Sequence, residues 1–127
     1  LRNGRGLGVN FAAVSDGKVE ASFTCDAAFE GYSGVLHGGV ISSLLDGAMT
    51  NCLFAYGHVA VTAELKVRFR HPVATGKPAK VRAWITSATS PLFELAAELV
   101  QDEQIKAIAK GKFLKKAAFR PFNKEVS

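Results

Sequence analysis

Gly31-Tyr32-Ser33-Gly34-Val35-Leu36-His37-Gly38-Gly39 runs straight into Val40-Ile41-Ser42-Ser43-Leu44-Leu45-Asp46-Gly47-Ala48-Met49-Thr50-Asn51-Cys52-Leu53, and this junction decides the fold. Gly31, Gly34, Gly38 and Gly39 fall within nine residues, a density that suits neither a helix nor an ordinary strand. Val40, Ile41, Leu44, Leu45, Ala48, Met49, Cys52 and Leu53 then recur at the spacing of one helix face. Ser42, Ser43, Asp46, Gly47, Thr50 and Asn51 take the other side. Gly57 closes the helix, with Tyr56 and His58 at its exit.

On both sides of this helix the period changes to two. Val9 to Val14 precedes Ser15-Asp16-Gly17-Lys18, and Asp-Gly is a strong hairpin turn signal. Val19, Ala21, Phe23 and Cys25 alternate with Glu20, Ser22, Thr24 and Asp26. After the helix, Val59 to Phe69 alternates until His71-Pro72, and Lys80 to Thr86 alternates until Ser90-Pro91. Residues 92–113 carry two signals: Leu92, Leu95, Ala96, Leu99 and Val100 fit a helix, whereas Ile105, Ala107 and Ala109 alternate with Gln104, Lys106, Ile108 and Lys110. Gln101-Asp102-Glu103-Gln104 reads as a turn between them.

The 127 residues make room for one domain, with a core over about 8–118 and a basic C-terminal tail over 115–127. Hydrophobic residues are 48% and charged residues 21%, which excludes a disordered or fibrous chain. Apolar runs are too short to cross a membrane as a helix, and no signal peptide is evident. Two cysteines, Cys25 and Cys52, suit a reducing compartment, and the expectation is a soluble cytoplasmic protein.

Sixteen basic and eleven acidic residues leave a formal charge of +5. Seven basic side chains and no acidic one fall between Gln104 and Lys124. A second basic set is Lys66, Arg68 and Arg70, followed by Lys80 and Arg82. Such a field attracts phosphate. Aromatic residues clustered for stacking on bases are not evident, so a phosphate-bearing small ligand fits at least as well as a nucleic acid.

Glycines at a helix N-terminus leave backbone N–H groups open, where the helix dipole favours developing negative charge. A carbonyl held against Gly38 or Gly39 would be polarised; the same glycines also suit a tight loop-to-helix transition. Asp46, about two turns on, suits a solvated helix residue, or a general base or nucleophile. Gly47 beside it leaves room for a partner or substrate at a helix-propensity cost of about 1 kcal/mol. His37 suits a hydrogen bond at the helix start. His58 and His71 lack partners at metal-ligand spacing, and neither a serine-nucleophile elbow nor a Walker-type loop is present. Neither a metal nor a cofactor is expected.

The block from Gly31 to Gly39, with Leu44-Leu45-Asp46-Gly47-Ala48-Met49, resembles the hot-dog-fold acyl-CoA thioesterases. The nearest group is the HGG subgroup related to phenylacetate-pathway and mitochondrial-type enzymes. Val61-Thr62-Ala63-Glu64-Leu65-Lys66-Val67-Arg68-Phe69, with His71-Pro72 and Gly76, resembles the strand after the central helix in that group. The resemblance implies an α+β fold, a long antiparallel sheet wrapped around one helix in the order ββαββββ. It also resolves residues 92–113 as two strands.

It implies hydrolysis of an acyl-CoA to acid and thiol, with Asp46 as base or nucleophile and the Gly38 N–H as oxyanion donor. Thr62 matches a water-positioning hydroxyl contributed across the dimer. A homodimer or homotetramer with its site at the subunit boundary follows, with His37 and Gly39 beside the substrate. Lys66, Arg68, Arg70 or Lys80 would meet coenzyme A phosphates, and Met49, Phe54 and Tyr56 would shape the acyl pocket. A non-catalytic acyl-CoA or acyl-carrier binding module is the alternative on the same fold.

Overall fold

A strand whose inner residues are small can lie flush under a helix, and this chain builds its core that way. The computed structural model describes residues 11–25, 30–32 and 34–116. The elements are β1 (Ala12–Ser15), β2 (Lys18–Thr24), β3 (Glu30–Tyr32), β4 (Val35–Leu36), α1 (Gly38–Ala55), β5 (Ala60–Phe69), β6 (Pro78–Thr89), β7 (Leu92–Gln101) and β8 (Gln104–Lys115). Six strands form one antiparallel sheet in the order β1-β2-β6-β7-β8-β5, and α1 packs against its inner face. This is the hot-dog architecture expected.

Buried residues alternate along β7 as Phe93, Leu95, Ala97, Leu99 and Gln101, and along β8 as Ala107, Ala109, Gly111 and Phe113. They close on Leu44, Leu45, Ala48, Met49, Cys52 and Leu53 of α1. Gly111 shows why small residues are needed. A Cβ there would stand 2.7 Å from the Phe113 ring and 3.1 Å from Met49 Cε. The tie over 92–113 therefore goes to strand, because tertiary packing outweighs helical propensity. The Asp102-Glu103 turn joins the two strands with both residues at positive φ, +56° and +59°, the geometry of a tight two-residue hairpin. Lys77 donates a hydrogen bond to Asp102 across 2.9 Å, and this contact holds the carboxyl below its ordinary range.

Two expectations change. The glycine-rich segment does form strand: Glu30 pairs with Leu36 and Tyr32 with Val35, with a bulge at Gly31. Gly34, at φ +76°, makes the reversal, so the ladder is as short as its glycines allow. On α1, Gly47 and Asn51, which belong to the side opposite the apolar face, are buried as well. Asn51 can be buried because its amide donates to the Gly47 carbonyl at 2.9 Å. β6 extends beyond the expected Lys80–Thr86 at both ends. Strand residues expected at 9–10 and the tail beyond 116 lie outside the described residues.

Candidate active site

α1 begins on a cap. His37 adopts φ −64° and ψ 137°, and its Nδ1 accepts the Gly39 N–H at 2.8 Å. Nδ1 as acceptor means a neutral imidazole with its proton on Nε2. The His37 carbonyl accepts from Val40 at 3.0 Å and from Ile41 at 3.2 Å. The Gly38 N–H has no acceptor among the described residues, so the first turn leaves this one donor open.

Gly38 and Gly39 differ in what requires the glycine. A Cβ on Gly39 would press to 3.1 Å from the His37 ring, so the cap itself needs glycine there. A Cβ on Gly38 would lie 3.6 Å from Phe69 Cζ, an ordinary contact, and Gly38 is not among the positive-φ glycines. Neither backbone nor packing calls for glycine at 38.

Asp46 is half-buried on the flank of α1 that β5 crosses. Thr62 Oγ1 donates to Asp46 Oδ1 at 2.9 Å, fixing the carboxylate, and Oδ2 has no donor among the described residues. Both groups belong to one chain. A bulge between Thr62 and Glu64 puts Thr62, Leu65, Val67 and Phe69 on the helix side, since they pair with Phe113, Gly111, Ala109 and Ala107. Phe69, 53% exposed, stands over Gly38. Sequence reasoning missed it, because alternation alone marks it as one more core residue.

The other expected binding residues do not converge here. Lys66 and Arg68 lie on the opposite sheet face, paired with Lys110 and Ile108. Lys66 lies 3.8 Å from Glu64, within an outer groove that also holds Glu94, Lys110 and Lys112. Lys80 and Arg82 are drawn to Glu20 at 3.7 and 3.9 Å. Arg70 follows Phe69 at the strand end, its N–H donating to the Lys106 carbonyl at 2.8 Å. Met49 has no exposed surface in the chain, whereas Phe54 is exposed near the far end of α1. Tyr56 anchors the first hairpin by its hydroxyl, to Ser15 and Lys18. Burial pushes the Cys52 thiol up to about 11, which makes it an inert filler. Among the described residues no three His, Cys, Asp or Glu side chains group to hold a metal, and no helix is long and apolar enough to cross a membrane.

A long antiparallel sheet wrapped around one central helix defines the hot-dog class. The chain belongs to the thioesterase superfamily, whose family pattern matches residues 33–108. Solved structures agree. Thioesterase superfamily protein RHA08564 is 26% identical with a TM-score of 0.79, over 84% of this chain and 55% of its own length. A phenylacetic acid degradation-related protein from Ralstonia eutropha is 25% identical with a TM-score of 0.75, over 85% of each chain. A Streptococcus mutans protein bound to acetyl CoA is 18% identical with a TM-score of 0.78, over 84% of this chain and 87% of its own. No curated protein matches the sequence.

Proposed function

We propose that this protein hydrolyses an acyl-CoA thioester at a site shared between two copies of the chain. One observation carries the reading: β5 passes Asp46 at Thr62 and Gly38 at Phe69, and among the described residues no strand pairs with its outer edge. Within one chain, Gly38 and Asp46 stand eight residues apart on α1, about 12 Å, too far to serve one carbonyl together. Pairing two β5 edges antiparallel sets the Thr62 end of one against the Phe69 end of the other. Asp46 of each copy then faces Gly38 of its neighbour, and the symmetric pair holds two such sites.

The apolar surface supports this pairing. Among the described residues, Val61 and Phe69 of β5 and Val59 just before it are exposed, on an edge that isolated proteins usually protect. The relatives bound to coenzyme A or its acetyl ester carry their ligand on the same fold.

In this reading Asp46 Oδ2 takes a proton from water as the water oxygen attacks the thioester carbon. The Gly38 N–H receives the oxyanion, and collapse expels the thiolate, which takes up the proton. Asp46 acting directly as nucleophile uses the same geometry. Phe69 walls the acyl group beside the amide, and the reading takes the chain as one of the HGG subgroup related to phenylacetate-type enzymes.

Complementation tests the shared site. Asp46→Asn and Gly38→Pro, each inactive alone, are mixed under conditions that exchange subunits. A mixed dimer has one site carrying both substitutions and one carrying neither, so a random mixture regains about a quarter of wild-type activity. No recovery despite exchange places both groups in one chain and overturns the arrangement. Saturable acyl-CoA binding by wild type without thiol release would make the protein a binding module.

A further inference from the structure

We infer that Gln101 is a positioning residue for the Gly38 amide, acting through the backbone of Ala74 and Leu36; this rests on the thioesterase reading above. Gln101 ends β7 with only 2% of its surface exposed, and glutamine is rarely buried so fully. Both poles of its carboxamide engage one residue. Oε1 accepts the Ala74 N–H at 2.8 Å, and Nε2 donates to the Ala74 carbonyl at 2.9 Å. Nε2 also faces the Lys77 carbonyl at 3.5 Å and Cys25 Sγ at 3.9 Å.

The opposite edge of the same segment holds the strand that leads into α1. Leu36 N–H donates to the Val73 carbonyl at 2.8 Å, Thr75 N–H donates to the Gly34 carbonyl at 3.0 Å, and Val35 bridges to Ala74. The Ala74 peptide groups point away from β4 and into the Gln101 amide. The side chain therefore works as the next rung of a ladder, standing where a neighbouring strand would supply peptide groups. One residue, His37, separates Leu36 from Gly38.

Filling this volume needs no amide; an apolar side chain would do so without the desolvation cost of a carboxamide. What the amide adds is a fixed height for residues 73–75, and through them for Leu36 and the helix start. An oxyanion donor must lie within about 2.7–3.1 Å of the developing charge, so a loosened β4 costs turnover rather than substrate affinity.

Gln101→Met keeps the length and removes both hydrogen bonds. Amide hydrogen exchange at Leu36 and Thr75 is expected to speed by about tenfold, the scale of one or two lost hydrogen bonds, while Leu95 and Ala109 exchange as before. Turnover falls by a similar factor of about ten with KM unchanged. Faster exchange spread evenly over the sheet, with turnover per folded molecule intact, would make Gln101 a purely structural residue and overturn the inference. Should the variant not fold, wild type decides: slow solvent exchange of the Gln101 side-chain amide protons supports the clamp, and exchange as fast as in a solvated glutamine refutes it. A wild type without thioesterase activity defeats the functional reading alone, since the exchange pattern still reports whether Gln101 holds β4.

Discussion

Proline at position 38 isolates one hydrogen-bond donor with little else disturbed. Proline is favoured at the first position of a helix, where its missing N–H has no helical partner to lose. Gly38 occupies that position, and its N–H has no acceptor among the described residues. The residue before a proline must be extended, and His37 already is, at φ −64° and ψ 137°. The His37 cap on Gly39 is untouched. A side chain at 38 first meets the Phe69 ring at 3.6 Å, an exposed group able to yield. Restricting the unfolded chain is worth about 0.4–1 kcal/mol, so Gly38→Pro should melt at or slightly above wild type. Turnover should nevertheless fall about 10²–10³-fold, the usual cost of one oxyanion donor. Gly38→Ala, which keeps the N–H, should fall between the two. Thiol release from acyl-CoA followed with a chromogenic disulfide, alongside thermal melts, reads both quantities. Wild-type turnover in a folded proline variant would refute the oxyanion role and leave Gly38 a loop residue.

Asp46→Asn should retain dimer and ligand affinity while turnover falls about 10²–10⁴-fold, measured by the same release assay. Thr62→Ala frees Asp46 Oδ1 and should cost about tenfold in turnover; an unchanged rate would remove the hydroxyl from the mechanism. Gly111→Ala drives a methyl into the enclosed Phe113 ring and Met49, and should destabilise by about 2 kcal/mol in denaturant titration. Alkaline pH gives a signed test through Cys52. Its thiol keeps its proton when folded and loses it more readily when unfolded, so the contribution is complete below about 9.0 and fades as pH rises towards about 11. Cys52→Ala should flatten that decline in melting temperature.

The helix was legible because eight apolar residues repeat at its period, and the flanking hairpin because Asp16-Gly17 is a turn. Residues 92–113 were not legible from period alone. Their Ala97, Ala107, Ala109 and Gly111 answer the need for small inner residues under α1, which only tertiary packing reveals. The site divides in the same way. His37 was readable as a cap because a cap is local, and the sequence marked Asp46 as one helical option among others. Phe69 over Gly38 and Gln101 under Ala74 are meetings of distant segments, 31 and 27 residues apart, and no local period encodes them. Asn51 is a local case again: its amide donates to the Gly47 carbonyl one turn back, which lets a polar residue sit buried on α1.

These two kinds of residue meet in β5. An edge ten residues long, partly apolar and unpaired among the described residues, is a liability for a chain that works alone. Here the same strand sets Thr62 on the carboxylate and Phe69 at the open amide, at its opposite ends. If only stability shaped the strand, a charge at Val61 would be a cheap remedy for the exposed edge. Val61→Lys should then keep the fold and solubility, yet yield monomers without turnover, because each monomer keeps its base and its oxyanion donor about 12 Å apart. Full activity in a monomer shown by sedimentation would break the link between edge and chemistry.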